Sequence, residues 1–149
     1  MFKDYNKHKE VWGRMGKNKH KEVWGRMGKD FYIEVVRWES MTAEEYESMR
    51  ERGMAFNGRF IWNIYCYLYP DHPRFNLAKE EDMCDCPINS FHYGCTYAKR
   101  NRSIDGTVIC KRYGNDYNHY GDDHFTYIEK PEDAFQIFSD ADELFEELS

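Results

Sequence analysis

The chain has 149 residues, a net charge of −6 and 41% hydrophobic residues, and it contains 4 Trp, 12 Tyr and 10 Phe. This length predicts one domain with a real hydrophobic core, and no apolar run approaches the roughly 18 residues that a membrane span requires. Five cysteines, an odd number, argue against a closed disulfide framework. Reduced thiols are typical of the cytoplasm, which is the predicted location.

The charge is divided unevenly along the chain. Residues 1–29 contain nine Lys and Arg against three acidic residues, so residues 30–149 carry a net charge of −12. An acidic body does not favour direct binding of duplex DNA, because the phosphate backbone attracts positive charge.

The basic N-terminal part consists mostly of one twelve-residue segment, NKHKEVWGRMGK, which occurs twice in succession over 6–29. A period of twelve turns the two copies about 120° apart on a helix, and a solenoid requires three or more units. We interpret the repeat as a recent tandem duplication that the fold tolerates, although an arm that faces nucleic acid or a partner stays open. The interpretation predicts a basic extension over 1–29, with a partly mobile first copy, ahead of a single domain over 30–149. Three side chains of the second copy are expected to pack against that domain: Val23, Trp24 and Met27.

The remaining pattern predicts an α+β fold. Strand patterns occupy 30–38, 58–70, 91–99 and 107–113, and helix patterns occupy 42–52 and the stretch that begins at Pro131. Thr42 and Glu45 form the capping box of the first helix, and Gly53 ends it. The expected architecture is a mostly antiparallel sheet with helices packed on one face, and the C-terminal helix is amphipathic and acidic. Within the third strand, Gly94 predicts a bulge or a close backbone approach.

Polar side chains are concentrated in the loop that follows the last strand. If 91–99 and 107–113 pair as a hairpin, His92 comes close to this loop at the end of the sheet. The candidate ligand-binding residues are His92, Asp116, His119 and Asp122, with Asp123 and His124 beside them. Histidines with carboxylates are typical of hydrolytic metal sites, but the spacing matches no metal motif. Turn capping is the simpler interpretation, so neither a metal nor a cofactor is predicted.

The cysteines and the glycines support no further chemistry. Cys84 and Cys86 are too close in sequence for a usual zinc knuckle, and the other three cysteines fall at core-like strand positions: Cys66, Cys95 and Cys110. We therefore predict structural cysteines. The chain contains no nucleotide-binding glycine loop and no G-x-S-x-G motif, so no catalytic residue is predicted and an enzyme is not supported.

Three segments of the chain resemble a group of small bacteriophage and prophage proteins. The segments are YLYPDHPRF, FHYGCTYAK and GNDYNHYGDDHF. They match a His-Pro pair, an H-G-G-[IL]-T-[YF] strand and a D-[YF]-x-H-x-G-D segment, and Tyr93 and Cys95 depart from the second pattern. The resemblance covers about residues 58–145 and implies a phage-encoded protein that acts in the cytoplasm of the bacterial host.

Small, acidic, aromatic-rich phage proteins resemble anti-defence factors, including anti-CRISPR proteins. The resemblance therefore implies an inhibitor that binds a bacterial defence nuclease, such as a CRISPR effector or its nucleoprotein complex. The candidate partner-binding residues are the acidic side chains of the last helix, which would mimic phosphates: Asp140, Asp142, Glu143, Glu146 and Glu147. The other interpretation of these acids is the solvated side of an amphipathic helix.

Two alternative functions remain open at this stage. The first is the binding or hydrolysis of a small signalling nucleotide by the loop 116–124. The second is a phage accessory protein of another type, including a homo-oligomer.

Overall fold

The computed structural model describes residues 1–12, 19–54 and 57–149, and it describes their side chains except those of 9–12 and 19. Six strands form one antiparallel sheet in the order β1-β2-β3-β4-β6-β5. The strands are β1 (Asn6–Trp12), β2 (Lys19–Met27), β3 (Phe31–Glu39), β4 (Phe60–Leu68), β5 (Tyr97–Arg102) and β6 (Val108–Asp116), and the two α-helices are α1 (Ala43–Glu51) and α2 (Phe135–Leu148).

The predicted α+β fold is confirmed, because α2 packs on one face of this antiparallel sheet. We call that face the inner face. Helix α2 begins at Phe135 rather than at the predicted Pro131, because Pro131–Asp133 form a separate 3₁₀ helix. The helix buries one stripe of apolar side chains: Ile137, Phe138, Ala141, Leu144 and Leu148. Helix α1 has the predicted capping box of Thr42 and Glu45, but it contributes no buried residue.

The hydrophobic core is built around two stacked tryptophans. The rings of Trp24 and Trp62 lie 5.5 Å apart at 20°, and Phe138 meets Trp24 edge-on at 5.7 Å. The indole Nε1–H of Trp62 donates a hydrogen bond of 3.0 Å to the carbonyl of Ile128, so its polar group is satisfied inside the core.

The two copies of the repeat pair with each other, since β1 lies in the first copy and β2 in the second. The predicted boundary at residue 29 falls in the turn between β2 and β3, two strands that pair over seven positions. Val23 and Trp24 are each 1% exposed, which confirms their predicted packing. The expectation for Met27 is wrong: its side chain is 63% exposed, because it ends β2 on the face of the sheet that α2 does not cover.

Residues 1–5, which precede β1, lie against α2. Tyr5 is buried, and its hydroxyl donates a hydrogen bond of 2.8 Å to Asp142. The amino group of Met1 donates to the same carboxylate at 2.7 Å. The rings of Phe2 and Tyr5 meet Phe138 edge-on at 6.0 and 5.5 Å. Because β1 pairs with β2, the first copy of the repeat places residues 1–5 in contact with α2 and the hydrophobic core.

The predicted strand over 91–99 is wrong in its first half. Residues 91–94 form a turn, closed by a hydrogen bond of 2.9 Å from the N–H of Gly94 to the carbonyl of Phe91. Gly94 adopts a φ of +83° with open space around it, so it serves the turn rather than a bulge or a close approach. The predicted hairpin is present, but it is formed by β5 and β6.

Candidate metal-binding site

Three of the four predicted ligand-binding residues meet beyond the end of β6. His92, His119 and Asp122 each offer a ligand atom, and these atoms all lie within 4.8 Å of one another. Among the residues that the structure describes, no other group of His, Cys, Asp or Glu side chains has this geometry. The fourth, Asp116, lies at the margin, with Oδ1 3.3 Å from His119 Nδ1.

Asp122 is the centre of the cluster. Its side chain is 4% exposed, and its two carboxylate oxygens lie 2.9 and 3.1 Å from Nε2 of His92. Oδ2 also accepts a hydrogen bond of 3.0 Å from the backbone N–H of His119. A buried carboxylate is stable only with such partners, because burial removes its hydration.

The imidazole of His119 has a nitrogen that is not satisfied. Its Nδ1 is buried and makes no hydrogen bond, although it lies 3.3 Å from the Asp116 carboxylate and 3.4 Å from that of Asp122. An imidazole nitrogen that faces two carboxylates in this way can bind a cation together with them.

The ring of His92 is positioned by a stacked tyrosine, Tyr117. It stacks on Tyr117 at a centroid distance of 4.4 Å and an angle of 14°. Tyr117 is itself buried, and its hydroxyl donates a hydrogen bond of 2.6 Å to Asp140. Burial, together with this hydrogen bond, raises the pKa of Tyr117 far above its ordinary value, so the phenol stays neutral.

An exposed aromatic ring lies over the two imidazoles. Tyr93 is 67% exposed, and its ring centroid is 4.5 Å from that of His92 and 5.1 Å from that of His119. Its φ of +56° lies in the left-handed region, which is costly for a residue other than glycine. The amide of Asn115 anchors this turn by donating to the His92 carbonyl at 3.2 Å.

Sequence reasoning missed two residues that contact the cluster, and two of the polar residues that it placed beside the cluster lie outside it. Tyr117 stands inside the segment that carries the resemblance, but no sequence signal shows that it supports His92. In the sequence, Tyr93 stands out only as a departure from the H-G-G-[IL]-T-[YF] pattern. Asp123 and His124 are exposed, and the ring of His124 packs on Phe125 at 4.0 Å instead.

The five acidic candidates of α2 do not form one free surface. Asp140 accepts hydrogen bonds from Tyr117 and Gln136, and Asp142 holds the N-terminus. Glu147 accepts from the backbone N–H groups of residues 89 and 90 and pairs with Arg74. Burial raises the pKa of Glu147, but these hydrogen bonds outweigh that effect and hold the pKa below its ordinary value. The two acids that remain exposed are Glu143 and Glu146.

The five cysteines are free thiols, of which Cys66 and Cys110 are buried. Cys95 lies in the segment before β5 rather than in a strand, and it is half-buried. A hydrogen bond from Cys86 lowers the pKa of Cys95 below that of an ordinary thiol. Within the described part of the chain, no cysteine joins a metal-binding group.

Comparison of the chain with protein families, curated proteins and solved structures finds no match. Among the described residues, neither helix is long and apolar enough to cross a membrane. Fold and site together define a small α+β protein with a His/His/Asp cluster at the end of its sheet, and the chemistry of that cluster has to be argued from its own residues.

Proposed function

We propose that the protein binds a divalent transition-metal ion such as Zn²⁺ through His92, His119 and Asp122, and that the ion holds a small phosphate-bearing ligand. The observation that carries the proposal is the convergence of the three ligand atoms within 4.8 Å. Two imidazoles and one carboxylate are a common protein ligand set for zinc and iron, and such a set leaves coordination positions for water or a ligand.

The hydrogen bonds of the cluster are compatible with this role. A cation between His92 and Asp122 would take the place of the proton that they share, and it would also satisfy Nδ1 of His119. Because histidine binds a metal only in its neutral form, binding releases any proton that the cluster holds.

A nucleotide is the ligand that best fits the surroundings. Its phosphate would complete the coordination of the cation, and the exposed ring of Tyr93, which packs on both imidazoles, offers a stacking surface for its base. A metal-bound water would in addition supply a nucleophile for hydrolysis of the phosphate ester.

The test of this proposal is a thermal melt with Zn²⁺ and a panel of nucleotides, among them cyclic dinucleotides. We expect Zn²⁺ alone to raise the melting temperature and one nucleotide class to raise it further only when Zn²⁺ is present. Tyr93→Ala should keep the effect of the metal and lose that of the nucleotide. A melting temperature that does not respond to Zn²⁺ contradicts the proposal.

An inhibitor of a bacterial defence nuclease is the second candidate. It is favoured by the free side of α2, where Glu143 and Glu146 lie in helical register with Phe135, an aromatic side chain that is 65% exposed. An acidic row with an aromatic anchor is complementary to the basic groove of a nucleic-acid enzyme.

This second candidate is tested by charge reversal. Glu143→Lys with Glu146→Lys should weaken inhibition of a purified CRISPR effector nuclease by about tenfold or more, with the strongest effect at low salt. The control is Glu44→Lys with Glu47→Lys on α1, which changes the net charge equally at exposed positions and should leave inhibition intact. Equal effects of both pairs would rule out a specific acidic interface.

A further inference from the structure

The face of the sheet that points away from α2, which we call the outer face, buries Val23 and Val36 and also carries aromatic and charged side chains. The central strand β4 alternates between the two faces, with its core residues on the inner face. Its outer positions are half-buried: Ile61, Asn63, Tyr65 and Tyr67. All members of the hydrophobic core lie at inner positions or in the segments that pack there.

A single arginine organises the tyrosines of this face. The guanidinium carbon of Arg112 lies 4.0 Å from the ring centroid of Tyr65, 5.1 Å from that of Tyr67 and 5.4 Å from that of Tyr97. Tyr65 and Tyr97 also meet edge-on at 5.6 Å. The contacts between the cation and the rings hold Arg112 against the sheet.

Two glycines let the tyrosine rings lie close to the sheet. A Cβ atom on Gly114 would stand 2.5 Å from Cδ1 of Tyr65, and one on Gly25 would stand 1.7 Å from the hydroxyl oxygen of Tyr32. Each ring therefore occupies the space that a side chain on the neighbouring strand would fill. The tyrosine rings therefore lie flat against the sheet and form an aromatic surface that extends over β3, β4, β6 and β5.

Arg112 is the cation at the centre of this surface. None of the ion pairs among the described residues involves Arg112, and its Nε is buried without a hydrogen bond. Lys99 stands opposite Arg112 in the β5–β6 ladder and is exposed. Two acidic residues also occupy outer positions: Glu34 on β3 and Asp116 at the end of β6.

We propose that the outer face binds single-stranded nucleic acid, with phosphates at Arg112 and Lys99 and bases stacked on Tyr97 and the neighbouring tyrosines. Aromatic rings on an open sheet accept unpaired bases without sequence preference, and adjacent cations follow the backbone. A second copy of the chain fits less well, because a two-fold axis near Arg112 would bring the same cations together. The site does not use His92, His119 or Asp122, so it stands apart from the proposed metal function.

The test is fluorescence anisotropy with labelled dT12, rU12 and a 12-base-pair duplex at 50 and 200 mM NaCl. We expect the single strands to bind more tightly than the duplex and to lose affinity at the higher salt. Arg112→Gln and Tyr97→Ala should each weaken binding of the single strands at least about fivefold.

The controls separate recognition from folding and from net charge. Lys99→Gln alters an exposed side chain and is expected to weaken binding in the same direction, which keeps the test valid if Arg112→Gln does not fold. Arg50→Gln on α1 removes one exposed charge elsewhere and should leave the affinity unchanged. Absence of single-strand binding at 50 mM NaCl, equal effects of all these variants, or a dimer that Arg112→Gln disrupts would overturn the proposal.

Discussion

Deletion of residues 6–17 is expected to lower the free energy of unfolding by about 3–5 kcal/mol, the loss typical of removing a large buried aromatic side chain. The deletion removes β1 and joins Tyr5 to Asn18. In the full-length protein, Tyr5 lies beside the Gly25 end of β2. The shortened chain would attach Tyr5 at the Lys19 end of β2, which is about 20 Å away at the rise per residue of a strand. Its contacts with α2 would then be lost.

Urea unfolding of the deleted and full-length proteins measures this loss. Tyr5→Ala is the matched variant, since it removes the same side chain and keeps β1, and it should account for most of the change. Tyr5→Phe removes only the hydrogen bond to Asp142 and should cost about 1 kcal/mol. An unchanged unfolding midpoint for the deletion would show that the first copy is dispensable, as the sequence alone predicts.

Replacement of His119 by Ala is expected to weaken the binding of Zn²⁺ by about 100-fold or more. Loss of an outer-shell partner alone typically costs 10- to 100-fold in metal affinity, and His119 is proposed as a direct ligand. It is a better target than Asp122, because its side chain is 30% exposed and Asp122 is buried within several hydrogen bonds. We therefore expect the His119→Ala variant to fold.

Competition with a chromophoric chelator gives the affinities. His124→Ala is the matched control, since His124 is exposed, lies five residues further along and packs on Phe125 outside the cluster. Its affinity for Zn²⁺ should equal that of the unchanged protein. Equal losses for the two histidine variants would mean that Zn²⁺ binds surface histidines without a defined site.

The central strands and both helices were predictable from local pattern. β3 is rich in β-branched and aromatic residues, β4 is largely apolar on both faces, and α1 has a complete capping box. The pairing of β1 with β2 was not predictable, because the repeat contains four glycines and no clean alternation, and its register depends on the contact of the second copy with β3.

The turn at residues 91–94 shows why part of the site could not be predicted from the sequence. The segment FHYG has the composition of a strand, but the ring of His92 gains a buried carboxylate and a stacked tyrosine when the chain turns there. Those contacts come from residues 117 and 122, and local propensity does not contain them. The convergence of His92, His119 and Asp122 could be predicted only through the assumed hairpin.

The acidic face of α2 was overestimated for a related reason. Sequence shows that a residue lies on the polar side of a helix, but it does not show which distant groups come to meet it. Asp142 accepts hydrogen bonds from the N-terminal amine and the hydroxyl of Tyr5, which lie at the other end of the chain. Glu147 accepts hydrogen bonds from the backbone N–H groups of residues 89 and 90 and pairs with Arg74. Three of the five acidic candidates thus bind groups of the same chain, and only Glu143 and Glu146 remain exposed.

The most direct test of the metal-binding proposal is anomalous diffraction at the zinc edge from crystals of the protein grown with one equivalent of Zn²⁺. The proposal predicts one strong anomalous peak within about 2.0–2.2 Å of a nitrogen of His92, a nitrogen of His119 and an oxygen of Asp122. A cluster that stays hydrogen-bonded and empty while Zn²⁺ lies elsewhere, or nowhere, would contradict it.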